Sequence, residues 1–245
     1  MKKIYIESPE SEKKYLKLAK LGGELKIPIP AAFLEMEIRM PNRDLIHRHK
    51  QRSHSWNRNT YNELAACLMY ISGNGASFAA GEISVKDTGG THRTGTASIC
   101  LGQNSNVEVA SSNPSIMAAI GVDTSGIVVG SGSDAESFEG HALSTKIAHG
   151  TGVGQISYGA SEAPVKSYVA GTKTYSVAHA RYYNNNSGGN ITINEIAIYL
   201  RMVTGAAYNS VYVIMTTRDL LAASVVIPDT GQLKVTYTFS LVYPA

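Results

Sequence analysis

Cysteine is nearly missing: Cys67 and Cys100 are the only two in 245 residues. That excludes a disulfide scaffold and a four-cysteine zinc site, and leaves open whether the two thiols pair. Charge is scarce as well, at 17% of residues against about 25% in ordinary globular proteins. Gly, Ser, Thr and Asn take its place, residues that favour turns and hydroxyl-bearing sheet faces. No apolar run reaches the roughly 18 residues needed for a membrane-spanning helix, so no membrane partner is expected. With a mean hydropathy of −0.09 the chain is neither membrane-like nor a charged disordered polymer. The opening MKKIYIESPESEKK is basic but has no apolar segment behind it, so a cleaved secretory signal is not expected. The length suits one large β domain or two small ones, with a core that needs no staples.

The charge that is present is unevenly placed. Residues 1–60 carry 13 Lys/Arg against 7 Asp/Glu, and the remainder carries 9 against 12. A basic arm on a mildly acidic body suits docking to nucleic acid or to an acidic protein surface, including a neighbouring copy. The pI of about 8.7 falls short of a dedicated nucleic-acid module, which favours assembly.

Residues 1–30 read as a separate arm. Ser8-Pro9-Glu10 has the form of an N-cap, a first-turn proline and an acid at a helix start, and Gly22-Gly23 is expected to stop the helix after about three turns. Tyr15, Leu18 and Ala19 share a face, with Lys14, Lys17 and Lys20 toward the C-terminal end. So short a helix needs a surface to dock on. Ile27-Pro28-Ile29-Pro30 follows as a stiff, extended connector.

Residues 31–245 read as an antiparallel β-sandwich or jelly roll with one packed helix. Leu34, Met36, Ile38 and Met40 alternate with Glu35, Glu37 and Arg39, a half-buried strand, and a turn at Pro41–Asp44 returns through a polar strand at Leu45–Arg52. The period then changes to helical from about Trp56 to Tyr70, with a start at Ser55 or, given the capping-box form of Thr60-Tyr61-Asn62-Glu63, at Thr60. Residues 76–125 are weakly patterned, with short candidate strands at Glu82–Lys86 and Thr96–Leu101 and a helical turn at Pro114–Ile120. From Gly126 the pattern is β: Ile127–Val129, a glycine-rich hairpin loop at His149–Gly154, and a long strand from Thr172 to Tyr183 ending at Asn184–Gly189. Ile191 and Ile193 lie out of phase with Ile196, Ile198 and Leu200, as a β-bulge at Asn194-Glu195 would make them. Leu233, Val235, Tyr237, Phe239, Leu241 and Tyr243 then form the apolar side of a final strand.

Candidate chemistry is thin. His47, His49 and His54 with Cys67 offer nitrogen and sulfur for a metal, but their spacing reads better as a polar strand, and no metal or cofactor is expected. Arg48, Arg52 and Arg58 around Trp56 offer cations and one stacking ring, which fits a protein-docking face better than nucleic acid. His149–Gly154 lacks the spacing and following helix of a phosphate loop. Ser144, His141 and Asp134 lie close in sequence without a nucleophile elbow, and Asp134, Glu136 and Glu139 read as solvated acids rather than a hydrolytic pair. No catalytic site is expected. The 14 tyrosines suit core and interface positions better than a sugar platform.

Ser53-His54-Ser55-Trp56-Asn57-Arg58-Asn59-Thr60-Tyr61-Asn62 resembles the "shSf-x-rNfyN" signature of certain tailed-bacteriophage structural proteins, with Trp56 where phenylalanine is usual. Gly126–Gly132, His141-Ala142-Leu143, Ile147–Gly150, Gln155–Tyr158, Asn194–Tyr199 and Met215–Leu220 continue the resemblance, which spans roughly residues 34–70 and 126–243. It implies a non-enzymatic virion component in the head, neck or tail, present in many copies, whose partners are other copies and neighbouring virion proteins. The candidate assembly interface is Tyr15, Lys17, Leu18, Lys20, Arg48, Arg52, Trp56 and Arg58, with the arm reaching to a neighbouring subunit. The alternative is a host-recognition module that binds surface glycans through the Asn184–Asn190 loop and nearby tyrosines.

Overall fold

The computed structural model describes residues 3–6, 9–68, 85–93, 116–204 and 210–243. In chain order these form β1 (Lys3–Ile6), α1 (Pro9–Glu24), β2 (Pro30–Arg39), β3 (Leu45–Ser53), α2 (Arg58–Leu68), β4 (Val85–Lys86), β5 (His92–Arg93), β6 (Gly126–Gly130), β7 (Ser157–Ser161), β8 (Val165–Val169), β9 (Thr174–Asn184), β10 (Ile191–Thr204), β11 (Ser210–Ile227) and β12 (Gln232–Val242).

Alternation sets the faces. Leu34, Met36 and Ile38 on β2 and Leu233, Val235 and Tyr237 on β12 point inward and are fully buried, paired as Leu34↔Tyr237, Met36↔Val235 and Ile38↔Leu233. These strands lie within a seven-stranded sheet of order β1-β3-β2-β12-β9-β7, with β8 also on β9. Its pairings are antiparallel except β1 on β3, which is parallel. A second, three-stranded antiparallel sheet, β11-β10-β6, supplies Val128, Ile196, Ile198 and Ile214 to the same core. The protein is mainly β, and two antiparallel sheets share one core, as in a sandwich. Among the described residues the two large sheets hold seven and three strands, an arrangement consistent with a β-sandwich.

The β10 phase change is real. Ile193 pairs with Val225 but Glu195 pairs with Leu220, so the ladder slips at Asn194 and the side-chain faces exchange.

Several details depart from the sequence reading. α1 runs through Gly22 and Gly23 and ends at Glu24. There the Lys26 N–H bonds Gly23 O and the Ile27 N–H bonds Gly22 O, with Lys26 left-handed at φ 56°, which is a Schellman end with lysine in the usual glycine position. Gly22 serves packing instead: a Cβ there would lie 2.4 Å from the Ile29 side chain, because the connector folds back onto the helix. α2 begins at Arg58, between the two expected starts, and its cap is Asn57, whose Oδ1 accepts the Thr60 N–H at 3.3 Å. The expected helical turn at Pro114–Ile120 is irregular chain from residue 116 on, and residues 114 and 115 lie outside the described residues. Residues 149–155 do not form a β-hairpin, since His149 and Ile156 meet in a single parallel bridge. Residues 69–84 and 94–115, Cys100 among them, lie outside the described residues, as does the Cys67 side chain.

His179 on β9 faces the core beside Phe239 and opposite Tyr237, only 6% exposed. Burial pushes its pKa down to about 4. The folded protein therefore binds this proton less readily than the unfolded chain, whose histidines titrate near 6.5. The stability His179 contributes is complete above about pH 6.5 and is lost as pH falls through 4, at most about 3 kcal/mol. His179→Gln should flatten the fall in urea midpoint between pH 7 and pH 4.5 relative to wild type. Equal slopes in the two proteins would contradict a neutral buried His179.

Candidate functional site

The residues with the strongest sequence signature form the junction where β3, α2 and β11 meet. Ser55 O accepts the Arg218 N–H at 3.2 Å, and Trp56 bridges Thr217, so the connector after β3 runs briefly as an extra strand on β11. The buried Asn57 Nδ2 donates to Gly140 O and Met215 O at 2.9 and 2.7 Å. Asn59, also buried, donates to Met215 O and Lys86 O and accepts the Lys86 N–H. The Thr60 hydroxyl donates to Thr216 O. Each amide fills backbone positions that irregular chain leaves without a ladder partner, so the motif is a clip between segments far apart in sequence.

Beside this clip lie two carboxylate centres. Glu195, on the face of β10 opposite Ile196 and Ile198, is fully buried against the 132–145 loop and accepts N–H groups of Gly132, Ser144 and Thr145 at 2.8–3.2 Å and the Arg218 Nε–H at 2.6 Å. Arg218 donates onward to Ala135 O and Asp134 O. Gly130 and Gly132 exist for this acid: a Cβ on either would meet Glu195 Oε1 at 2.6 Å. The second centre is Asp219, fully buried, which accepts the Tyr237 hydroxyl at 2.7 Å and the His54 N–H at 3.2 Å. Burial raises the Asp219 pKa to about 6 against the hydrogen bonds that lower it. Glu136 accepts the Leu220 N–H at 2.8 Å, and its Oε2 lies 3.5 Å from His54 Nδ1. Burial raises the Glu136 pKa, but hydrogen bonds from His54, Ser55 and Leu220 prevail and bring it to about 2.

The eight residues expected to form an assembly interface divide. Arg52 is bidentate on Glu12 at 2.8 Å, with its guanidinium 3.5 Å over the Tyr15 ring and 4.4 Å from the Phe33 ring. Together with β1 on β3, this holds the arm on its own body rather than reaching outward. Arg48 bonds Glu35 at 2.7 Å, and Arg58 bonds Glu139 at 2.9 Å above Phe138. These three cations face internal acids and do not form a bare basic patch. Trp56 is half-buried in the clip. Lys17, Leu18 and Lys20 are exposed, with Lys20 3.9 Å from Glu24.

The histidine group is broken up. His47 and His49 lie on the inner side of β3, where His49 Nε2 bonds Gln51 at 2.7 Å, while His54 sits at the Glu136–Asp219 centre. The three loop acids also separate: Asp134 accepts the Ser144 hydroxyl, Glu136 turns to β11, and Glu139 holds Arg58. Tyr183, Tyr199 and Tyr237 are core residues whose hydroxyls bond Ile127 O, the Leu143 N–H and Asp219. The Glu195–Arg218 pair was missed by the sequence reading. Its signal was an acid inside the apolar run Ile193–Leu200, and an arginine and an aspartate inside β11.

Comparison with known family models, curated proteins and solved structures finds no match to the chain.

Proposed function

We propose that this chain is a non-enzymatic structural protein of a tailed-phage virion, a head-decoration, neck or tail component that assembles with copies of itself and neighbouring virion proteins. The observation that carries the reading is apolar surface left outside the core. Leu18 and Leu21 on α1 and Leu25 just past its end form one stripe, each about half exposed, and Ile27 extends it. Val165 and Val169 lie exposed on one face of β8 toward the other edge of the same sheet, and Tyr168 lies exposed on its opposite face, its ring 6.1 Å from that of Tyr243. Contiguous apolar patches of this kind mark contact surfaces. Two different patches suit the head-to-tail contacts that build rings and tubes. The arm changes its role relative to the sequence expectation. Arg52, Glu12 and Tyr15 hold α1 in place, so its outer stripe is preformed and docking orders less chain. The phage resemblance of residues 53–62 and 126–132 supports the virion setting.

The glycan reading has less support. A groove of about 430 Å³ is lined by Glu37, Arg39, Arg43, Tyr182, Gln232 and Lys234. The Lys234 ammonium already covers the Tyr182 ring at 4.9 Å. In the neighbouring loop Asn185 is buried and donates to Gly189, Ile227 and Pro228 carbonyls, so it shapes the turn.

The full chain carrying Leu18→Glu and Leu21→Glu, supplied during particle assembly in place of wild type, tests the reading. Both positions are exposed, so the folded circular dichroism spectrum should persist while incorporation into purified particles drops roughly tenfold or more. Wild-type incorporation of the folded variant would contradict the assignment.

A further inference from the structure

We propose that His54, Glu136 and Asp219 form a binding site for a divalent transition-metal ion at the junction of β3, the 131–149 loop and β11. Each offers one ligand atom, and the three atoms lie within 4.8 Å of one another. A tetrahedral zinc ion with ligands at about 2.0–2.1 Å holds them about 3.4 Å apart. The 3.5 Å separation of His54 Nδ1 and Glu136 Oε2 is already that spacing. Closing the remainder requires rotation of His54 and Glu136, whose side chains reach solvent, while Asp219 stays fixed in the core.

The surroundings favour an ion. Asp219 is a fully buried carboxylate whose contacts are a backbone N–H from His54 and the Tyr237 hydroxyl. The neighbouring arginine, Arg218, turns instead to Glu195. Next to His54 in sequence, the Ser53 hydroxyl is buried and has no hydrogen-bond partner among the described residues. A buried acid in this setting is stabilised by a cation. Tyr237 on Asp219 and the Leu220 N–H on Glu136 orient the two carboxylates, as outer partners do in metal sites.

The ligand set selects the class of ion. One imidazole and two carboxylates, with the outer side open to water, match the three-ligand zinc pattern, and manganese accepts the same set. Calcium needs six to eight oxygens, more than these three residues supply. Such an ion would staple three segments that the clip joins only by hydrogen bonds. This inference stands apart from the assembly reading, since either holds without the other.

The test uses the full chain, treated with EDTA, desalted and titrated with ZnCl₂, with MnCl₂ and CaCl₂ in parallel. Calorimetry should show one zinc per chain. At a hundredfold excess over Kd the melting temperature should rise by roughly 5 °C or more. Glu136→Gln keeps the Leu220 hydrogen bond, and His54→Ala removes an exposed ring. Both should leave a folded metal-free protein, read by circular dichroism, yet weaken zinc binding at least about tenfold. Zinc bound equally well by both variants would place the ion on other histidines and overturn the proposal. Absence of any heat or thermal shift at millimolar zinc would overturn it too.

Discussion

Glu195→Ala should lower the melting temperature by roughly 10 °C. The substitution removes the acceptor of three backbone N–H groups and strands the Arg218 guanidinium in a place where it is 7% exposed. Breaking a buried ion pair from one side costs about 3–5 kcal/mol, because the remaining charge has lost both water and partner. In a domain of this size each kcal/mol moves the midpoint by about 2–4 °C. Glu195→Gln keeps an oxygen for the N–H groups and should fall between wild type and alanine. Changing both partners, Glu195→Leu with Arg218→Met, should recover part of the loss, since no unpaired charge remains. Differential scanning fluorimetry of the four proteins decides the matter. An alanine variant melting within 2 °C of wild type would mean that Arg218 finds water.

Arg181→Met should be comparably damaging for a different reason. Arg181 is fully buried, and among the described residues no carboxylate is hydrogen-bonded to it; its guanidinium instead donates to Gly159 O, Ser125 O, Ile127 O, Ala119 O and Val122 O. Tyr158 lies against the cation, 4.8 Å from ring centroid to Cζ. Residues 116–125 make few ladder contacts, so this one side chain replaces the strand partner they lack. Methionine fills the volume but orphans several carbonyls, at a cost of about 1–3 kcal/mol each where no water enters. The expected total is about 3–5 kcal/mol, since some carbonyls will relax toward solvent. Arg181→Lys should not rescue it, because an ammonium carries three donors and no planar fork. Urea denaturation gives the magnitude. Hydrogen exchange across 119–127 should show the loss of protection concentrated there, and unaltered exchange would refute the role assigned to Arg181.

What the sequence revealed follows from the range of the interactions involved. The alternation of β2 and β12, the β10 bulge and the existence of both helices are written in side-chain periods over a few residues, and the structure matches them. Helix ends were legible only in part. The stop at Lys26 depends on Ile29 folding back onto Gly22, and the start at Arg58 depends on Asn57 being held by Gly140 and Met215, partners beyond any local window. The candidate site was the least legible. His54, Glu136 and Asp219 are about 80 residues apart in each step, and only the pairing of the 54–58 connector with β11 brings them together. Charges read as a protein-docking face, Arg48, Arg52 and Arg58, meet acids on β2, on α1 and on the 131–149 loop, and no sequence pattern predicts that pairing.

The position of β12 carries a consequence for how the chain reaches its native state. It lies between β2 and β9, joined to the first along Leu241↔Pro30 through Gln232↔Arg39 and to the second along its whole length. Until residues 232–242 have been synthesised, the larger sheet is two open half-sheets with nothing to zip them together. Closure at so great a sequence separation makes for slow, late folding. During that interval the bare rims of β2 and β9 are what a nascent chain must keep away from its neighbours on the polysome.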